Sequence, residues 1–292
     1  MSIDKLQEKI RKTKNPTMMD LSLSPWDIPQ TVRSQFESAA AAYGAYCEML
    51  LKQMKGWIPG IRVSFSSFAL LGEEGNRQLS RILKYASDCG YYVLLDAPEI
   101  WSAEAAELVV RQTWGEDALF PCDGVLIGCY LGSDSYKPFL PFCEKNKKDL
   151  FVSVRSSNKS ASELQDLLAG SRLVHTAAAD YVNRYTGKTV GKWSYSRVAI
   201  ASAASSADSL RNLRKKYPKL FLLVDGYDYP NANAKNCSYA FDQMGHGAVV
   251  CSGKTIGCAW KQNQQEQEDP LKAAQEAADR MKRNLTRYVT IL

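Results

Sequence analysis

Residues 91–101 read YYVLLDAPEIW. Five apolar residues run without alternation into Asp96, and Pro98 follows two residues later. An unbroken apolar run of this length suits a strand covered on both faces, as in a parallel sheet. Seven more runs share that character: 17–21 (TMMDL), 61–65 (IRVSF), 124–127 (GVLI), 150–154 (LFVSV), 198–201 (VAIA), 220–224 (LFLLV) and 248–251 (AVVC). Helical periodicity lies between them. Residues 75–87 carry Leu79, Ile82, Leu83 and Ala86 at helical spacing, and 102–112, 160–168, 207–217 and 270–288 are also predicted helices. Eight strands alternating with helices predict an α/β fold, a closed (β/α)8 TIM barrel forming one domain over residues 1–292. The open doubly wound sheet is the runner-up. It usually carries a glycine-rich phosphate turn after its first strand, which SLSPWDIP (residues 22–29) does not resemble. The opening MSIDKLQEKIRKTKN is polar and amphipathic, an extra N-terminal helix and not a signal peptide.

Composition narrows the function classes. Lys and Arg outnumber Asp and Glu by 37 to 31, a net charge of +6, and the basic residues are scattered over helix faces and ends. Without a stripe of cations interleaved with aromatics, a nucleic-acid groove is not expected. No apolar run is long enough to span a bilayer. None of the eight cysteines forms a CxxC pair and several sit within apolar runs, so they read as reduced, buried thiols in a cytoplasmic protein. No His/Cys/Asp cluster has metal-ligand spacing, and no metal is expected. The polar segment 262–269 (QNQQEQED) reads as an exposed loop.

In a barrel of this kind chemistry sits at the C-terminal ends of the strands. Asp96 is there, as a candidate general base or as an N-cap for the helix that Pro98 and Glu99 introduce. After the last strand, Ser252, Lys254 and Thr255 form a turn whose N–H groups and ammonium could hold an anion, with a solvated loop lysine as the alternative. Arg155, Ser156 and Asn158 follow the fifth run, as polar ligand contacts or as loop caps. Tyr227 belongs to an aromatic mouth with Trp26, Phe65, Trp101 and Tyr229, in which Trp101 could fill a pocket or stack on a base. His175 and His246 lie far apart and read as structural.

These strand ends resemble the longer bacterial orotidine 5′-phosphate decarboxylases over nearly the whole chain. The resemblance rests on PTMMDLSLSPWDIP (16–29), CYLGSDSYKPF (129–139), FVSVRSSN (151–158), FLLVDGY (221–227) and AFDQMGHGAVVCSGKTIGCAW (240–260). It implies a dimeric (β/α)8 barrel that removes carbon dioxide from a nucleotide in pyrimidine biosynthesis, without cofactor or metal. The family's machinery is a Lys-Asp-Lys-Asp array, with a lysine on the second strand and a D-x-K-x-x-D motif after the third. On that pattern Asp96 is the first motif aspartate, Pro98 stands for the lysine and Trp101, or its neighbour Ser102, for the second aspartate. Ser64 stands for the second-strand lysine and Ser22 for the first-strand aspartate that holds ribose. Pro230 lies near the family's phosphate glutamine and Lys254 replaces its phosphate arginine. The resemblance therefore implies a homologue without the array: a non-decarboxylating pseudoenzyme that binds a phosphorylated, nucleotide-like ligand or a protein partner, as a homodimer or paired with a related barrel. An active decarboxylase with a rearranged site is the alternative.

Overall fold

The computed structural model describes residues 2–261 and 269–292. The segment 262–268, expected as an exposed loop, lies outside them. Eight parallel strands close into a barrel: β1 (Thr17–Asp20), β2 (Gly60–Ser64), β3 (Tyr92–Asp96), β4 (Gly124–Gly128), β5 (Asp149–Ser153), β6 (Ser196–Ala203), β7 (Leu220–Asp225) and β8 (Ala248–Ser252). Each strand pairs with its sequence neighbours, and β1 closes on β8 through Thr17 opposite Val250. The expected (β/α)8 TIM barrel is the fold. The apolar runs are buried along nearly their whole length, because one face fills the barrel and the other packs under helices.

Helix α1 (Ser2–Thr13) lies across the N-terminal end of the barrel and buries Ile3, Leu6 and Ile10 there. Gln7 accepts a bond from the Gly247 N–H ahead of β8, and Asp4 accepts one from Trp193 N–H ahead of β6. The extra helix thus acts as the barrel's floor.

The local expectations held unevenly. Helices 72–88, 103–114, 207–216 and 270–286 fall where periodicity placed them. The expected helix at 160–168 shortens to Ala161–Leu164, and a small antiparallel pair, Leu168–Ala169 with Arg172–Leu173, takes its end. A helix without a clear stripe, Ala39–Gln53, fills the gap between the 72–88 and 270–286 helices. Its Tyr43, Tyr46, Cys47, Leu50 and Leu51 are all buried, so no single polar face marks it in sequence. Every cysteine is free, and six of the eight are buried. No helix among the described residues is long and apolar enough to cross a membrane.

Candidate functional site at the barrel mouth

The C-terminal residues of the eight strands are Asp20, Ser64, Asp96, Gly128, Ser153, Ala203, Asp225 and Ser252. None is a lysine. Strand register sets what meets at this rim. Asp20 lies directly beside Arg62, and Ser64 beside Asp96. Arg62 and Ser64 point to one face, because strand side chains alternate with period two.

Arg62 is the cation of the mouth. One guanidinium nitrogen pairs with Asp20, and another donates to Asp225 Oδ1 at 2.8 Å. Its Nε finds no acceptor among the described residues, although the atom is buried. Asp20 also accepts a 2.8 Å bond from the Ser22 N–H. The two carboxylates hold the Arg62 proton more firmly than in water, against the opposing effect of burial. Asp96 faces this cluster with no hydrogen-bond donor among the described residues. Burial pushes its pKa up to about 6; Arg62 works against that shift, and Asp20 and Asp225 add to it.

Two sequence assignments change here. The first-strand position was given to Ser22, but β1 ends at Asp20, whose carboxylate enters the mouth while the Ser22 hydroxyl is buried without a partner. The second-strand position was given to Ser64, but the strand's cation is Arg62, two residues earlier on the same face. Ser64 instead caps the short helix Phe65–Ala69, with its hydroxyl accepting from Ser67 N–H. Nor is Asp96 an N-cap. It ends β3, and Ser102 caps the following helix by accepting from Ala105 N–H at 3.1 Å.

Pro98 and Trp101 lie in the connection between Asp96 and that helix. Trp101 does not plug the mouth. It is 67% exposed, donates to Glu99, and stands edge-on to Tyr130, itself 78% exposed, at 6.5 Å between ring centres. Trp26 and Tyr229 are exposed as well.

The anion cradle after β8 exists, and the chain's own Asp228 occupies it. Ser252 Oγ and Thr255 N–H donate to Asp228 Oδ1 at 2.8 and 2.9 Å, and Gly253 N–H donates to Oδ2 at 2.8 Å. Three converging donors are what an oxyanion needs, and the carboxylate supplies that oxyanion from inside the molecule. Asp228 is placed by the turn after β7, where Gly226 takes φ +77° and Tyr229 N–H donates back to the Gly226 carbonyl. A Cβ at position 226 would come within 2.4 Å of Ser157, so glycine is required there twice over. Lys254 stays exposed beside the cradle.

The residues expected after β5 are also internally engaged. Arg155 makes a two-pronged pair with Asp166 at 3.0 and 2.8 Å, which lowers the Asp166 pKa. Ser156 exchanges bonds with Gln165 and donates to Asn158, while Ser157 Oγ donates to the Asp225 carbonyl at 2.7 Å. These contacts cap a loop. Tyr227 is half-buried and packs onto the core with Cys237 beside it. His175 contacts Asp166 and the Gln165 carbonyl, and His246 contacts the C-terminal Leu292 carbonyl. Among the described residues no group of three or more His, Cys, Asp or Glu is arranged to hold a metal ion.

Sequence reading thus missed Asp20 and Arg62 as mouth residues, and it placed Asp225 and Asp228 after the seventh run without giving either a role. Only Asp20 and Asp225 carried a signal, each standing at the end of an apolar run as Asp96 does.

No family model matches the chain. It is similar to the orotidine 5′-phosphate decarboxylase of Rhodopirellula baltica, with 28% identity over 274 residues and 89% of each chain covered. The enzyme of that name from Clostridium kluyveri is also 28% identical, over 266 residues and 90% of each chain. Among solved structures, the Leishmania donovani OMP decarboxylase superposes with a TM-score of 0.74 at 22% identity, covering 98% of this chain and 99% of that one. In sequence the chain is similar from end to end to orotidine 5′-phosphate decarboxylases, and it shares the closed barrel of the solved ones.

Proposed function

We propose that this chain is a member of the orotidine 5′-phosphate decarboxylase family that does not decarboxylate, and that it works by binding. The observation that carries this reading is Arg62 held between Asp20 and Asp225. Decarboxylation without a cofactor needs a cation that stabilises the carbanion and then protonates it. Arg62 is the buried cation here, and its guanidinium is already neutralised. An arginine also keeps its proton at any ordinary pH and cannot deliver it to carbon. Pro98 supplies no charge, and none of the strand ends carries a lysine. Loss of one such electrostatic group typically costs ~10²–10³ in rate.

The phosphate end supports the same reading. An incoming phosphate would have to displace Asp228 from three hydrogen bonds. Whether the mouth takes a phosphorylated ligand or only a protein partner is decided by that competition. Exposed Trp26, Trp101 and Tyr130 at the rim suit a protein partner, a second copy of the barrel included.

Two measurements test the proposal. Incubation with orotidine 5′-monophosphate is expected to give no uridine 5′-monophosphate above the protein-free rate; robust protein-dependent turnover would overturn it. Thermal-shift titration with both nucleotides then separates the two modes of binding. A saturable shift means the mouth admits a nucleotide, and no shift directs the search to protein partners.

A further inference from the structure

A sizeable cavity lies at the other end of the barrel. It has a volume of about 660 Å³ and is bounded by α1, by Asp123 ahead of β4 and by residues 146–148 ahead of β5. That is enough room for a nucleotide-sized ligand. Five lysines line it: Lys5, Lys9 and Lys12 from α1, and Lys147 and Lys148 from the turn. The α1 lysines lie at i, i+4 and i+7, one face of the helix.

Three carboxylates also line the cavity, and each already has a partner. Asp4 accepts from Trp193 N–H and packs over Gly191. Glu8 pairs with Lys192 at 2.9 Å. Asp123 pairs with Lys5 at 2.7 Å and accepts from Val93 N–H. Lys148 donates to the Cys122 carbonyl. Lys9, Lys12 and Lys147 are left with no carboxylate within ion-pair distance among the described residues. Partial burial lowers the pKa of Lys9, with Lys5 and Lys12 adding to that shift and Asp123 and Glu8 opposing it.

The cluster is held in place. Ser2 Oγ donates to the Lys147 carbonyl at 2.6 Å, which ties the turn to the start of α1. Lys147 sits at φ +55°, a conformation more readily taken by glycine or asparagine. Lys9 and Lys12 also line a second, smaller cavity of about 220 Å³, walled by Ile58, Pro59, Cys89 and Tyr91. The two cavities share these lysines as a common wall.

We propose that this groove binds an oligophosphate, with Lys9, Lys12 and Lys147 as its phosphate contacts. Several adjacent phosphates would supply the negative charge that the wall lacks. The apolar side of the smaller cavity gives room for a base or another flat group. The site is independent of the barrel mouth.

The test is titration calorimetry of the full chain with tripolyphosphate, and separately with ATP, at moderate salt. One-site saturable binding is expected. Tighter binding of ATP than of tripolyphosphate would assign the smaller cavity to the base, and equal binding would assign the site to the phosphates alone. The combined variant Lys9→Gln, Lys12→Gln, Lys147→Gln is expected to weaken binding at least ~10-fold, as when a charge-assisted contact is lost. A control with the same charge change, Lys215→Gln, Lys219→Gln, Lys235→Gln, alters only exposed lysines away from the groove and is expected to bind as the parent does. Equal weakening in both, or no saturable binding, would overturn the proposal by reducing the effect to general attraction to a basic surface. Asp228→Ala, at the mouth, is expected to leave tripolyphosphate affinity in the groove unchanged.

Discussion

The two ends of the barrel treat charge in opposite ways. At the mouth, Arg62 is shared by Asp20 and Asp225, and the N–H cradle after β8 holds Asp228. At the floor, five lysines line a cavity, and three of them, Lys9, Lys12 and Lys147, have no carboxylate within ion-pair distance among the described residues. In a barrel of this kind the mouth is normally where unmatched groups wait for a ligand. In this chain most of the mouth's charged groups are matched internally, Asp96 and the Arg62 Nε excepted, and a cluster of unpaired lysines lies on and beside α1. Position at the C-terminal rim therefore marks where chemistry can be built. Unsatisfied donors and charges mark where a ligand is still needed.

The comparison can be broken most directly at Arg62. Arg62→Met removes the shared cation and leaves Asp20, Asp225 and Asp96 facing one another in a buried site. The expected loss is about 3–5 kcal/mol, as for other buried pairs deprived of one partner, read by urea denaturation. A loss below about 1 kcal/mol would mean that the mouth is solvated and not self-neutralised.

The floor carries a buried acid of its own. Asp149, at the start of β5, accepts a 2.7 Å bond from Tyr92 Oη, and burial pushes its pKa up to about 7. A folded pKa above the unfolded value means that the protonated acid is the form folding favours. Its contribution is present below about pH 4 and is lost as pH rises through 7. Asp149→Asn is expected to stabilise the protein at pH 8, by about 2 kcal/mol, and to change little at pH 4. Asp96, raised to about 6, acts in the same direction over a narrower window. Equal effects of Asp149→Asn at both pH values would assign its role to packing alone.

Asp228→Ala sharpens the mouth side. Without ligand it should cost about 1–2 kcal/mol, because Ser252 Oγ and two N–H groups lose their acceptor. Inorganic phosphate should then restore stability in a saturable way, to a greater extent than it stabilises the parent protein. Smallest of all, Ser102→Ala should cost about 1 kcal/mol, the usual value of an N-cap, with no effect on any ligand. A larger loss would show that the connection through Pro98 and Trp101 depends on that cap to keep its course.

The fold was far more legible than the site. Each buried strand announces itself as an apolar run, because covering both faces demands it. Asp96 could be placed at a strand end, but not its role: the helix beyond it is capped by Ser102, whose signal was outweighed by the nearer Asp-x-Pro-Glu pattern. Ser22 and Ser64 were chosen by counting along a motif, and a shift of two residues in a strand keeps the same face while changing the residue that reaches the mouth. Arg155 and Asn158 look like ligand contacts until Asp166 and Gln165 are brought beside them by the short turn after β5.

By itself the sequence determined the strand–helix alternation, the barrel, the floor helix, the buried thiols and the loss of charge at Pro98. Those are properties of periodicity and residue type within a few positions of each other. Only the tertiary structure decided which charges meet. Asp20 and Arg62 are 42 residues apart, and Arg62 and Asp225 are 163 apart. Strand register and barrel closure bring them together, and neither is written in any local stretch. The same closure seats Asp228 in its cradle and leaves Lys9, Lys12 and Lys147 without a carboxylate partner among the described residues, because an ion pair depends on distance in space and not on distance along the chain.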